Sequence, residues 1–238
     1  MLTNSLVPCN GRFPALTALI TAFFVTGGGI LFPLLGAAWL TGFILLGIFA
    51  VLAVSKLLSV TFLKNSSSSF VLELPPFRKP KIGQILIRSL LDRTAFLLGR
   101  AALTAFPAGI LIYILEKTGG LDLLIRFLEP AGSIMGLDGA VLSAFLLGLP
   151  ANELILPMIL SIRSVNTVAA LSGCGFTFFK AFQTALFMLF HSPCLTTLLT
   201  VKKETGSVKM TLAALLIPTL IGAFICTLTN ALRLLLGL

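Results

Sequence analysis

Long apolar runs without any charge restrict the fold of this chain more than any other feature. No charged residue occurs between Arg12 and Lys56, and other uncharged runs also reach the roughly 20 residues that a helix needs to cross a bilayer core. A transmembrane β-barrel would show segments of about ten residues that alternate apolar and polar side chains, and this sequence lacks that alternation. Because lipid requires backbone groups to be paired within their own segment, the runs predict membrane-spanning helices.

The composition supports a membrane protein and argues against nucleic acid as a partner. Residues of the AVILMFWYC class make up 57% of the 238 positions, charged residues make up 11%, and the mean hydropathy is +1.08, so polar side chains are too few to cover a soluble globule. The net charge of +9 lies in short connections beside apolar runs, without an aromatic platform for bases. The cations therefore indicate membrane topology and contacts with lipid headgroups.

The sequence predicts an all-α, polytopic helical membrane protein with about six transmembrane helices and one interfacial amphipathic helix. The predicted spans are residues 13–31, 34–60, 95–115, 139–162, 177–199 and 211–235. Three prolines in residues 74–80 predict an extended loop, and residues 82–94 have the apolar stripe of a helix lying on the membrane surface. Lys and Arg are more numerous on the side of this loop, which places it in the cytoplasm.

Glu153 is the acidic residue with the strongest functional signal. The other acidic residues fall in connections or at span edges, where they can be hydrated, whereas Glu153 is predicted to lie mid-span between two prolines. Pro157 would leave the carbonyl of Glu153 without its helical donor, and the amide of Asn152 is adjacent. These oxygens predict a cation site in a broken helix. The alternative is structural, an ion pair from Glu153 to Arg100 or Lys180 that fixes helix packing.

Two proline-flanked segments indicate an internal repeat. Pro8-Cys-Asn-Gly-Arg-Phe-Pro14 has the same outline as Pro150-Ala-Asn-Glu-Leu-Ile-Leu-Pro157, so Asn10 corresponds to Asn152. Corresponding interrupted helices in two halves indicate the binding site of a transporter. A whole span precedes the second copy, whereas only residues 1–7 precede the first. We therefore expect the chain to be a fragment or one product of a split gene.

The segment His191-Ser-Pro-Cys194 is a third candidate, because it holds the only histidine of the chain beside a cysteine. Their i,i+3 spacing predicts one shared helical face, and imidazole with thiolate suits soft or borderline divalent metals better than magnesium or calcium. Pro193 would also free the carbonyl of Leu189. The alternative is a helix kink whose histidine meets water or headgroups. The four cysteines form no C-x-x-C pair, so no disulfide framework is predicted.

No motif in the sequence supports catalysis. G-x-x-x-x-G-K-[ST] is absent, so the chain lacks the usual phosphate cradle, and neither H-E-x-x-H nor G-x-S-x-G occurs. We predict that the chain is not an enzyme and binds no nucleotide.

Five motifs follow one another along the chain: Val7-Pro-Cys-Asn-Gly-Arg-Phe-Pro14, Phe70-Val-Leu-Glu-Leu-Pro-Pro-Phe-Arg-Lys-Pro80, Leu98-Gly-Arg-Ala101, Gly148-Leu-Pro-Ala-Asn-Glu153 and Lys202-Lys-Glu-Thr-Gly-Ser207. In order and spacing they resemble the membrane part of the ferrous iron transport protein B family, over nearly the whole chain. The resemblance implies Fe²⁺ uptake across the bacterial inner membrane, with Cys9 matching the family's gate cysteine. It also implies a GTP-binding N-terminal half and small accessory Feo proteins as partners, and it allows a homo-oligomer.

The resemblance divides the chain into three parts. Residues 1–63 hold the first gate segment and two spans, residues 64–94 hold the cytoplasmic Pro-rich loop and amphipathic helix, and residues 95–238 hold the second gate repeat and the C-terminal spans. The candidate metal ligands are Cys9, Asn10, Asn152, Glu153, His191 and Cys194. Side chains alone would also admit manganese, zinc or cobalt. The alternative function is that of another gate-type membrane protein, either a nucleoside permease or a non-transporting assembly subunit of the spore-maturation kind.

Overall fold

A computed structural model describes residues 6–25, 31–61, 81–89 and 95–237, and every regular element in these ranges is helical. The α-helices are α1 (Phe13–Phe23), α2 (Leu31–Thr61), α3 (Ile82–Arg88), α4 (Phe96–Lys117), α5 (Gly120–Ile134), α6 (Gly139–Leu147), α7 (Ile155–Ile162), α8 (Phe178–Phe190), α9 (Leu195–Thr205) and α10 (Val208–Leu236). Two 3₁₀ turns, Asn152–Leu154 and Ala169–Cys174, precede α7 and α8. The all-α prediction is confirmed.

Short polar side chains and glycine set where several helices begin and end. Asp138, Thr177 and Ser207 each accept a hydrogen bond from the backbone N–H three residues later, at the starts of α6, α8 and α10. Such bonds satisfy donors that the first turn of a helix leaves unpaired. Gly206, with a φ of 63°, ends α9 in the left-handed conformation that glycine adopts without steric cost.

Three helical segments in the described ranges are long and apolar enough to cross a membrane: Pro33–Val60, Phe178–Thr205 and Val208–Leu236. A fourth results if α5 and α6, which are bent by 112° at the turn between them, form one broken span. The protein is thus a helical membrane protein with several spans, and the predicted number of about six spans is not confirmed.

Agreement with the predicted spans is best where the apolar run is continuous. The helices α2, α4 and α10 begin and end within three residues of the predicted limits. The first predicted span is helical only over the 11 residues of α1, and residues 26–30 lie outside the described ranges. Residues 139–162 and 177–199 are each divided into two helices by a non-helical segment.

Helix α5 was not predicted. Its charged residues Asp122, Arg126 and Glu129 resemble those of a hydrated connection, and Pro130 suggests a break. In the structure Pro130 lies inside the helix, and α5 packs closely against α6. The packing of an amphipathic helix against its neighbour therefore outweighs the local signals.

Asp138, in the turn between α5 and α6, is a buried acid. Its side chain pairs with Arg163 and, at 3.3 Å, with the ammonium group of Lys180, and the residue is 7% exposed. The prediction that Asp138 is hydrated in a connection was wrong, because α5 covers this turn at Gly132. The pairing with Lys180 also removes that lysine from the structural alternative proposed for Glu153; the side chain of Arg100 lies outside the described residues.

Helix α8 forms the centre of the packed core, with α1, α2 and α10 against it. The amide of Gln183 donates to the carbonyl oxygen of Cys226 at 3.0 Å, and Thr229 donates to the Gln183 side-chain oxygen at 2.9 Å. These bonds satisfy a polar group inside an apolar core and attach α8 to α10. Cys226 is fully buried among these contacts.

The polar connection between the second and third predicted spans is described only in part. The proline-rich loop at residues 64–80 lies outside the described ranges, as do residues 90–94. The described part of the amphipathic segment, α3, is helical. The orientation of this loop and the division at residues 63 and 94 therefore stay predictions.

Candidate functional site

Three segments outside the α-helices, which we call interruptions, meet at one place, the break junction. The first is residues 9–12, the turn that precedes α1; the second is residues 148–154, between α6 and α7; the third is residues 191–194, between α8 and α9. The backbone N–H of Leu195 donates to the carbonyl of Leu149 at 3.0 Å, which joins the second and third interruptions. A Cβ atom built on Gly11 would lie 3.8 Å from Cβ of Glu153, so the first and second interruptions are in contact.

Proline accounts for the third interruption and for the starts of two helices. Pro193 has no N–H and disfavours helical backbone at the preceding residue, and the chain is extended at both His191 and Cys194. Pro14 and Pro157 lie in the first turns of α1 and α7, where the missing N–H leaves no bond unmade. Glu153 lies before α7, which begins only at Ile155, so Pro157 does not break a continuing helix at this point; the free carbonyl of Glu153 stays a prediction.

Arg12 fills the centre of the break junction and is only 2% exposed. Its guanidinium donates to the carbonyl oxygens of Leu189 at 3.3 Å and His191 at 2.8 Å, and also to that of Ser192. These carbonyls lie where α8 ends, so the cation satisfies acceptors that the interrupted helix leaves open. The predicted free carbonyl at Leu189 is thus present and is capped by Arg12.

Asn152 connects the second interruption to the same guanidinium. Its side-chain amide lies 3.0 Å from both Nη2 and Nε of Arg12, and the amide orientation that satisfies both groups points the oxygen toward the cation. Asn152 is buried. A single arginine from the first interruption therefore binds polar groups of the other two.

A cavity of about 210 Å³ opens beside Arg12. Three of the six predicted metal ligands line it, namely Cys9, Asn152 and Cys194, each from a different interruption. The sulfur of Cys194 lies 3.0 Å from Oγ1 of Thr196 and 3.2 Å from Oγ1 of Thr197, at the N-terminal end of α9. The rest of the lining is formed by Val7, Arg12, Pro193, Thr197, Thr200, Val201, Glu204 and Ala214.

His191 does not line this cavity. It is 5% exposed and packs against the rings of Phe145 and Phe187, with centroids 5.0 and 5.3 Å away. Its Nε2 contacts Oγ of Ser192 at 3.2 Å, and its Nδ1 has no hydrogen-bond partner among the described residues. The prediction that His191 and Cys194 share a helical face was wrong, because the segment between them is extended rather than helical.

Glu153 and Asn10 also lie outside the cavity lining. Glu153 is exposed in the 3₁₀ turn beside Gly11. The break predicted around it is present, and its predicted mid-span position stays a prediction. Asn10 is exposed in the turn that precedes α1.

A second cavity, of about 390 Å³, is lined in part by Leu154, the last residue of the 3₁₀ turn that contains Glu153. Glu116 and Asp122 are the acidic residues in its lining, which comes from α4 to α7 and the residues next to them. It shares no lining residue with the cavity at Arg12.

Sequence reasoning missed Arg12 and the polar face of α9 as parts of this site. Arg12 was interpreted as a topology signal, because a cation at the edge of an apolar run usually meets lipid headgroups. Thr197, Thr200 and Glu204 recur at spacings of three and four residues, which is the signal that could have revealed them.

The fold and its interruptions define a helical membrane protein with broken helices. A family model described as Nucleoside recognition, named Gate, matches residues 98–208, and the model for the C terminus of ferrous iron transport protein B matches residues 40–92. The chain is thus similar to the C-terminal membrane part of the ferrous iron transport protein B family.

Relatives in distant organisms show the same similarity. The chain is 27% identical over 244 residues to the Fe(2+) transporter FeoB of Staphylococcus aureus (strain MSSA476), and 23% identical over 227 residues to that of Methanocaldococcus jannaschii. These matches cover 95% and 87% of this chain but 35% and 33% of the relatives. The chain thus spans about a third of the length of these relatives. No solved structure is significantly similar to it.

Proposed function

We propose that this chain is the permease part of a ferrous iron transporter and that Fe²⁺ crosses the bacterial inner membrane through the break junction. The observation that carries the proposal is that Cys9, Asn152 and Cys194, from three separate interruptions, line one cavity. Thiolate ligands suit a borderline divalent metal better than magnesium or calcium. The relatives are named as Fe(2+) transporters, which favours iron over the other metals that these side chains would admit.

A site that conducts an ion should have fewer protein ligands than a site that holds a metal permanently. A conducted ion must exchange part of its hydration for protein ligands, yet leave again. Within the described residues, no three His, Cys, Asp or Glu side chains lie close enough together to hold a metal ion. We assign Cys9 and Cys194 as transient ligands; the oxygen of Asn152 becomes available to a cation when its bonds to Arg12 separate.

The remaining predicted ligands act at the edge of this path in our proposal. Glu153 supplies negative charge beside Gly11, and Asn10 lies on the exposed turn that leads to Cys9. His191 lies behind Cys194 and would have to turn away from Phe145 and Phe187 to reach the ion.

We further propose that the energy for transport comes from a separate GTP-binding half, with small accessory Feo proteins as additional partners. The sequence of this chain lacks the phosphate-binding motif that such a step needs, which supports a role as permease rather than as enzyme. Assembly into a homo-oligomer is compatible with this role.

Uptake of radioactive Fe²⁺ tests the proposal in cells that express the chain together with its GTP-binding partner. Cys9→Ser should reduce uptake, because serine retains the shape but not the soft sulfur ligand. Cys226→Ser is the matched control: Cys226 is fully buried between α8 and α10 and lines neither cavity, so its replacement should leave uptake near the wild-type level once the amount of protein is equalised.

Equal uptake by the two cysteine variants would remove the thiol ligands from the proposal. Glu153→Gln, in the same assay, should lower uptake without changing the amount of folded protein, because Glu153 is exposed. Uptake of uridine instead of Fe²⁺ would favour the nucleoside permease, and uptake of neither would favour the assembly subunit.

A further inference from the structure

We infer that Thr197, Thr200 and Glu204 form a row of oxygen ligands for cations along one face of α9, next to the two thiols. The inference rests on the proposed function only in taking the break-junction cavity as a cation path. All three residues line that cavity, and their spacing of three and four residues places them on one face of the helix. At 1.5 Å per residue, this face extends about 15 Å from Cys194 to Glu204.

The two threonines present oxygen lone pairs rather than donors. Oγ1 of Thr200 donates its proton to the carbonyl of Thr196 at 2.9 Å, so only acceptor positions remain on that oxygen. Oγ1 of Thr197 lies 3.2 Å from the sulfur of Cys194, and when it donates to that sulfur it has the same property. Hydroxyls used in this way favour a cation over an anion.

Glu204 supplies the negative charge. Its carboxylate makes no hydrogen bond or ion pair within the part of the chain that the structure describes. The other charged residue of the lining is Arg12, which binds the carbonyls at the opposite end, beside Cys194. Among the lining residues, the positive charge therefore lies at the thiol end and the negative charge at the Glu204 end, which favours a cation on this face of α9.

The oxygen ligands of α9 and the two thiols should prefer different metal ions. Carboxylate and hydroxyl oxygens bind hard divalent cations such as Mn²⁺, whereas sulfur prefers softer ions. Binding of Mn²⁺ alone therefore reports on the oxygen face of α9, whether or not the chain transports iron.

The experiment titrates the full chain, purified in lipid nanodiscs, with Mn²⁺ and follows the electron paramagnetic resonance signal of the free ion. Glu204→Gln removes the charge at constant shape and should weaken binding about tenfold or more, since charge count tunes such affinities. Thr200→Val removes one oxygen at nearly constant volume and should weaken binding about threefold, as loss of one neutral ligand does.

Two matched controls define the outcome. Glu116→Gln removes a carboxylate outside this cavity, and Thr219→Val removes a hydroxyl with the same bond to the carbonyl four residues earlier; both should bind Mn²⁺ like the wild type. Wild-type affinity in Glu204→Gln, an equal loss in Glu116→Gln, or no Mn²⁺ binding by the wild type would each overturn the inference. Loss of iron uptake alone would instead count against the proposed function.

Discussion

At the break junction, Arg12 donates hydrogen bonds to several buried acceptors at once, which few other side chains could do. Where α8 ends, extended backbone leaves carbonyl oxygens without their helical donors, and burying such groups unpaired is costly. The guanidinium carries five donors in a planar fork, so one side chain can bind Leu189, His191, Ser192 and Asn152 together. A lysine offers a single nitrogen and cannot span the same set of acceptors.

Arg12→Gln should therefore lower the melting temperature of the purified protein. Each buried acceptor that loses its donor costs about 1–3 kcal/mol, and several are affected at once. Arg12→Lys should recover only part of the loss. Arg126→Gln, which removes an exposed arginine from α5, is the control and should melt like the wild type. Identical melting temperatures for Arg12→Gln and Arg126→Gln would contradict the capping role.

At the residue scale, the sequence allowed the candidate metal ligands to be predicted, but not the arginine that binds the segments around them. Asn152 was predicted from its proline-broken segment, Cys194 from its place near the only histidine, and Cys9 from the resemblance to the family; all three line the cavity at Arg12. Arg12 could not be predicted as a cap, because the carbonyls that it binds lie more than 170 residues away along the chain. Glu204 was placed in a connection, since its neighbours in the sequence are lysines.

Among the helices, the α5–α6 pair depends on the absence of a side chain at Gly139. An added Cβ atom would lie 2.2 Å from the carbonyl oxygen of Ile125 and 2.9 Å from the backbone nitrogen of Glu129. The backbone N–H of Gly139 also donates to Oε2 of Glu129 at 2.7 Å. The two helices approach this closely because glycine leaves room for backbone atoms at their contact.

Gly139→Ala should destabilise the protein, since backbone atoms cannot move aside as a flexible side chain can. Overpacking of this kind costs about 1–3 kcal/mol, which a lowered melting temperature in detergent would register. Gly42→Ala in α2 is the control, because an added Cβ atom there meets nothing within 4 Å. It should be neutral or slightly stabilising, since alanine favours the helix. A normal melting temperature for Gly139→Ala would show that α5 and α6 can separate without cost.

The limits of a helix were predicted correctly where a single property, continuous apolar character, determines them. In α2 and α10, continuous apolar character determines both the type and the limits of the helix. In α5, charges and a proline pointed to a connection, and only its packing on α6 explains the helix. At His191 a kink was weighed, but the fully extended backbone depends on capping by Arg12, a residue distant in sequence.

The orientation of the whole molecule rests on the distribution of its cations. Lys81, at the start of α3, belongs to the more basic side, whereas Lys117, at the end of α4, belongs to the less basic side. The positive-inside rule therefore predicts that Lys81 faces the cytoplasm.

Single cysteines test this orientation in a variant whose four native cysteines are replaced by serine. With intact cells and a membrane-impermeant maleimide, Lys81→Cys should stay unlabelled and Lys117→Cys should react. Both should react after the cells are permeabilised. The reverse pattern in intact cells would invert the predicted topology.

The bonds of Arg12 also determine how the interruptions can move. The first interruption is bonded to the second through Asn152 and to the third through the carbonyls at the end of α8, and the second and third share the Leu195–Leu149 bond. A displacement of α1 from this centre breaks both sets of Arg12 bonds in the same step. We therefore expect a displacement of the first interruption to release it from the second and the third together, while the Leu195–Leu149 bond keeps these two joined.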